Sequence, residues 1–255
     1  MDTGYRQIHR AERLPSRHME VALSQISTVS RSWFPFLPVL FFVGGIAALA
    51  VDCLLAKWCL HDRNWSEYVE ELLQFGESFG NGLGAAVFIL AAFQLAPKRR
   101  RAIPRVIAIV VGAAIAADLV KLLVTRTRPY GFDFAGGVWE TFGQWFSLAN
   151  VESVNQSFPS GHTAVAVSLA IALAWHYPRG SWLFLALAVL AACQRLQCGA
   201  HYLSDVLFSA AVGSAAAVVC LSVGPIARWF DQWESSRKGR SRDIQRPIDQ
   251  IAVKA

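Results

Sequence analysis

Residues Ile103–Thr125 read IPRVIAIVVGAAIAADLVKLLVT, a long apolar run with Arg105 near its start and Asp118 and Lys121 near its end. A membrane-crossing helix needs roughly 20 mostly apolar residues. Backbone in lipid must satisfy its own hydrogen bonds, so such a run reads as an α-helix. Working outward, five more apolar segments appear, at about Phe36–Trp58, Phe75–Ala96, His162–Tyr177, Ser181–Cys198 and Tyr202–Ala227. The fourth segment in chain order, His162–Tyr177, is short. It crosses only if its start lies below the outer surface, inside a polar pocket. The expected fold class is all-α: a polytopic membrane protein with six transmembrane helices. Residues 1–32 form a polar N-terminal segment, 33–230 the transmembrane domain and 231–255 a basic tail.

The composition agrees. Of 255 residues, 54% are hydrophobic and 16% charged, which excludes a disordered chain and argues against a soluble domain. The net charge is +6, but its placement points to topology and away from nucleic acid. Arg6, Arg10, Arg13, Arg17 and Arg31 precede the first segment. Lys98, Arg99, Arg100, Arg101 and Arg105 lie between or at the facing ends of the second and third. Arg179 separates the fourth and fifth, and a run from Arg228 to Lys254 follows the sixth. The positive-inside rule makes that side cytoplasmic, with both termini inside. Trp33, Trp58, Trp175, Trp182 and Trp229 punctuate the segment ends as an interfacial belt. Two outward stretches carry further aromatic residues: Trp65, Tyr68 and Phe75 in one, and Trp139, Phe142, Trp145 and Phe146 in the other. Each either lies flat on the outer leaflet beside a lipid entrance or packs against the bundle. The five cysteines have no zinc-like spacing and read as small apolar residues.

Ionisable groups inside membrane helices are costly and usually mark a site. Here they collect at the outward ends of the last four segments: Lys121, Arg126 and Arg128; Ser160-Gly161-His162; Arg195; and His201 with Asp205. Arginine forks and a lysine point charge suit a phosphate. Ser160-Gly161-His162 opens a helix, where free N–H groups bind anions. Ser160 either caps that helix or donates its hydroxyl, and Gly161 permits close backbone approach. His201 and Asp205 share a helix face. A carboxylate on one imidazole nitrogen frees the other as nucleophile, leaving His162 as general acid. A metal held by His162, His201 and Asp205 is the competing reading, opposed by three neighbouring cations. Arg126 alone reads as a capping or snorkelling residue. Asp118 is expected to pair with Lys121, and Asp52 with Lys57.

These residues resemble the type 2 phosphatidic acid phosphatase family, whose membrane members are lipid phosphatases. The family pattern has three blocks: K-x6-R-P, P-S-G-H and S-R-x5-H-x3-D. Here they are Lys121, Arg128 and Pro129; Pro159, Ser160, Gly161 and His162; and Arg195, His201 and Asp205. Every fixed position but one matches. Gln194 stands where the pattern has serine, and because its amide can donate, altered substrate fit is expected over inactivity. The resemblance implies His201 as nucleophile, Asp205 as its orienting partner and His162 as general acid. It implies Lys121, Arg128, Ser160, Gly161 and Arg195 as phosphate ligands, with no metal and no cofactor. It also implies lipid phosphates of the outer leaflet as substrates. The expected protein is a multi-pass phosphatase of the cell's cytoplasmic membrane. Its site faces the extracytoplasmic side, and it cleaves a lipid phosphomonoester or pyrophosphate through a phosphohistidine. A lipid phosphotransferase using the same covalent step and a non-catalytic transporter or binder are the alternatives. Oligomeric state is left open.

Overall fold

A computed structural model describes residues 34–146, 152–222 and 224–235. The expectations for the N-terminal segment, Trp33 and the tail beyond Ser235 fall outside the described residues. The chain up to Leu37 forms a unit of its own, of which the 3-10 turn Phe34–Phe36 is described.

The larger unit is helical. We number its helices α1 (Leu37–Ala48), α2 (Asp52–Lys57), α3 (Glu67–Gly80), α4 (Gly82–Leu95), α5 (Ile103–Lys121), α6 (Gly161–His176), α7 (Ser181–Gln197) and α8 (Leu203–Leu221). A further helical stretch covers 224–235. α6 lies at the centre and packs against α3, α5, α7 and α8. Its residues Ala164, Ala166, Leu169 and Ala172 are wholly buried. Small residues let these backbones approach closely. A Cβ on Gly213 of α8 would come within 2.5 Å of the Ala164 carbonyl oxygen.

The outer surface is apolar. Val39, Leu40 and Val43 on α1, Ile107, Val111 and Ile115 on α5, and Leu185 and Val189 on α7 are all exposed. A belt of that kind suits lipid and not water. Among the described residues, three stretches are long and apolar enough to cross a membrane: Pro97–Lys121, Pro178–Gln197 and Leu203–Leu221. The number rises to 5 if each of two bent helix pairs counts as one span, and α6 is a shorter apolar helix.

The first two expected segments are not straight rods. The helix run Phe34–Ala48 meets Asp52–Asp62 at 78°, and α3 meets α4 at 72°. The second break has a local cause. Asn81 is extended, and its side chain accepts from the Gly84 N–H at 2.6 Å, capping α4 as a new helix. The helix expected to begin near Phe75 therefore starts back at Glu67 and is interrupted at Asn81.

The third segment also ends early. After Lys121 the chain turns into strand β1 (Val124–Arg126), which pairs antiparallel with β2 (Phe142–Trp145). This short ribbon is a local addition to an all-α fold, and it serves the site. Arg126 offers its carbonyl to the Ser157 N–H at 2.9 Å, and Arg128 N–H donates to Val154 at 2.7 Å. The ribbon thus ties the end of α5 to the segment leading into α6. Trp139, Trp145 and Phe146 beside it are largely exposed, so they do not pack on the bundle. Tyr68 and Phe75 of α3 are exposed too.

The basic turn Pro97–Ala102 lies at the opposite end of α5. There buried Arg105 pairs with Asp231 at 2.6 Å, holding the 224–235 stretch.

Candidate active site

Ser160 is the N-cap of α6. Its Oγ accepts from the Thr163 N–H at 3.4 Å and from the Thr163 hydroxyl at 3.0 Å. The Ser160 hydroxyl proton stays available to donate, so capping and anion binding are compatible. The first N–H groups of α6 lack partners within the helix. A Cβ on Gly161 would lie 3.5 Å from Lys121 Nζ, so the lysine reaches the mouth of α6. Lys121 also pairs with Asp118 at 3.5 Å, as expected from their spacing.

His201 sits in the connection between α7 and α8 and is almost wholly buried. Its Nδ1 lies 2.5 Å from the Ser157 carbonyl oxygen. A carbonyl only accepts, so Nδ1 carries the proton and Nε2 keeps its lone pair. The expected direct bond from His201 to Asp205 is not made, since the two are 4.0 Å apart. Asp205 instead accepts from the Ser157 hydroxyl at 2.6 Å, the Tyr202 N–H at 2.9 Å and Arg126 Nη1 at 2.5 Å. Ser157 therefore stands between the carboxylate and the imidazole. Its hydroxyl answers to Asp205 and its carbonyl to His201.

Arg126 does not snorkel. It is fully buried and bridges two buried carboxylates, Asp205 and, at 2.7 Å, Asp52 of α2. Its Nε donates to Thr141 at 3.0 Å, and its plane lies over the Tyr202 ring. Asp52 also accepts from the Ser204 N–H at 2.9 Å. The expected Asp52–Lys57 pair is replaced by this network. A desolvated carboxylate needs an equally desolvated cation, and Arg126 supplies it from 74 residues away.

The cations converge. The charges of Lys121, Arg128 and Arg195 all act on both His162 and His201. Arg128 Nε is buried with no hydrogen-bond partner among the described residues, an unused donor suited to an anion. Arg195 is held on two sides. Its Nη2 lies 2.7 Å from Glu77 Oε1 of α3, and its Nε lies 2.5 Å from the Gln194 side-chain oxygen. Gln194 thus turns an acceptor toward Arg195. The same Glu77 oxygen is 3.7 Å from His162 Nε2. Glycine makes this approach possible, because a Cβ on Gly80 would come within 2.7 Å of the His162 carbonyl oxygen. Among the described residues there is no group of three or more His, Cys, Asp or Glu side chains that could hold a metal ion.

All eight residues read from the sequence as candidates therefore lie at one end of the bundle, contributed by α5, β1's continuation, α6 and its N-cap, α7, the α7–α8 connection and α8. Sequence reasoning missed Ser157 and Glu77 and misassigned Arg126 and Asp52. The apolar neighbours of Asp52, Ala47–Val51 and Cys53–Ala56, were the available signal that a buried cation should meet it.

The family model described as PAP2 superfamily matches residues 102–229, half of the chain, and takes in all three blocks. The chain belongs to the PAP2 superfamily. Similar proteins include a lipid A 1-phosphatase of Rhizobium johnstonii, 35% identical over 107 residues, covering 41% of this chain and 41% of that protein. A lipid A 1-phosphatase of Rhizobium etli is 32% identical over 105 residues, covering 41% and 42%. The chain thus spans about two fifths of the length of the curated relatives it matches. The crystal structure of LpxE from Aquifex aeolicus is similar with a TM-score of 0.52 at 17% identity, over 68% of this chain and 96% of that one. The transmembrane PAP2-type phosphatidylglycerolphosphate phosphatase of Bacillus subtilis gives 0.51 at 18%, over 72% and 94%. At those identities the likeness is one of fold alone.

Proposed function

We propose that the chain is an integral-membrane phosphatase that hydrolyses a lipid phosphomonoester or pyrophosphate without a metal. The observation that carries this reading is the buried His201 held by a backbone carbonyl, with Nε2 left free among three cations. PAP2 membership supports a phosphatase in general.

In the proposed reaction, His201 Nε2 attacks phosphorus and the bond from phosphorus to the lipid oxygen breaks. His162 gives its proton to that leaving oxygen. Water then attacks the phosphohistidine, His162 takes the water's proton, and inorganic phosphate leaves as the P–N bond breaks. Lys121, Arg128 and Arg195, with the Ser160 hydroxyl and the N–H groups at Gly161, hold the charged oxygens. Asp205 acts through Ser157 as a positioning residue.

In this reading the two bent pairs count as two spans, and α5, α6, α7 and α8 supply four more. Both termini are cytoplasmic, and the site faces the other side. The exposed Trp139, Trp145 and Phe146 beside the ribbon support a lipid-contacting surface near the site. The names of the Rhizobium relatives make a lipid A-like 1-phosphate the first substrate to try.

The test is phosphate release by detergent-purified protein, with chelator present, across lipid A, phosphatidic acid, phosphatidylglycerol phosphate and polyprenyl pyrophosphate. Wild type should release phosphate from at least one lipid, and His201→Ala should lose that release. Undiminished turnover by His201→Ala would remove the mechanism. Label recovered on an acceptor in place of free phosphate would make the protein a transferase.

A further inference from the structure

Glu77 is a negative charge inside a site built for an anion. It lies in the last turn of α3, outside every motif block, yet it touches the pocket's most elaborated cation. Its Oε1 is 2.7 Å from Arg195 Nη2 and 3.7 Å from His162 Nε2. The position is enforced by close packing. Gly76 and Gly80, on the same helix, have no space for a Cβ against Leu190 of α7 and the His162 backbone. α3 therefore cannot slide away without opening both contacts, and the Glu77 side chain is delivered to the pocket.

The charges facing His162 come from each element around it. Arg195 lies on α7, Lys121 on α5, Arg128 on the strand's continuation and Glu77 on α3. His201, from the connection before α8, is held with Nδ1 on a carbonyl. Asp118 is turned to solvent beside Lys121. The Glu77 carboxylate, 3.7 Å from His162 Nε2, is the opposite charge placed beside that ring. A general acid must still hold its proton when the leaving oxygen departs.

We propose that Glu77 is a positioning residue of this site. Its carboxylate is the counter-charge of the proton that His162 donates, while Gln194 holds the Arg195 fork from the other side. The proposal rests on the phosphatase reading above. It also explains the departure at Gln194. An acceptor there balances Glu77 on the other side of the guanidinium, whereas a serine would reach less far. Glu77 stands too close to the anion to be without cost. Its charge repels phosphate, so removing it should tighten phosphate binding while weakening proton donation.

Those opposite signs separate positioning from a structural role. Glu77→Gln keeps the shape and removes the charge. Two esters are compared in detergent: a short-chain phosphatidic acid, whose alkoxide leaving group needs a proton, and p-nitrophenyl phosphate, whose leaving group does not. For Glu77→Gln, kcat on phosphatidic acid should fall by about 10²-fold, the lower range of general acid catalysis. Turnover of p-nitrophenyl phosphate should stay close to wild type, and inhibition by inorganic phosphate should strengthen. Glu77→Asp, which keeps the charge, should recover part of the phosphatidic acid activity. Equal losses on both esters with weakened phosphate inhibition would overturn the proposal, as would a variant indistinguishable from wild type on both. Where wild type prefers another of the four lipids, that lipid replaces phosphatidic acid in the comparison; a wild type that releases phosphate from none of them would sink the phosphatase reading, and this proposal with it.

Discussion

His201 meets its surroundings through one backbone carbonyl, and that contact fixes which nitrogen is free. Burial pushes its imidazole well below the ordinary value of 6.5. The Ser157 carbonyl opposes that shift, while Arg128, Arg195 and Lys121 add to it. The proposed nucleophile must be neutral. A lowered value leaves it neutral as pH falls through 6.5 and protonates it only at lower pH. The acid limb of kcat/KM, corrected for substrate ionisation, is therefore expected below pH 6.5. A limb above that pH would mean that the free site holds His201 charged. The three motif blocks were legible because their residue types and spacing survive in a linear reading. Ser157, Glu77 and the Arg126 network were not. Their partners lie 48, 118, 74 and 79 positions away, by packing that a nearest-neighbour rule cannot reach. That rule paired Asp118 with Lys121 correctly and Asp52 with Lys57 wrongly. The difference is burial, since Asp118 has water to fall back on and Asp52 has none.

At the scale of elements, hydropathy found where helices run but not where they bend. Phe75–Ala96 reads as one apolar stretch because Gly80, Asn81 and Gly82 do little to average hydropathy. Their backbone effect is large. Asn81 leaves the helical region, and its side chain restarts the next helix. Asn81→Ala should lower stability by about 0.5–2 kcal/mol, the usual range for a lost N-cap. The measurement is denaturant unfolding in detergent followed by tryptophan fluorescence. A change near zero would mean that packing alone sets the bend. The ribbon was hidden for a related reason. Val124–Arg126 continues the apolar segment, and only the pairing with Phe142–Trp145 makes it a strand.

Across the whole molecule, Arg126 joins the earliest and latest parts of the bundle. It reaches Asp52 of α2, Thr141 before β2 and Asp205 of α8. Removing it leaves two buried carboxylates without their cation. Arg126→Ala is expected to destabilise the fold by about 3–5 kcal/mol, the range for breaking a buried ion pair. The check is the midpoint of thermal unfolding in detergent beside wild type. An unchanged midpoint would show that the network contributes nothing to stability.

The same arrangement sets an order of events at the ribosome. Chains emerge from the N-terminus, so Asp52 is laid down first, Arg126 next and Asp205 last. Until α8 arrives, Arg126 has one carboxylate instead of two, the Ser157 hydroxyl lacks its closer acceptor Asp205, and His201 has only just been made. In the proposed reading, a half-inserted chain therefore has no assembled nucleophile to turn on the membrane that is receiving it. On that reading the site is completed only with α8, so synthesis carries its own safety catch.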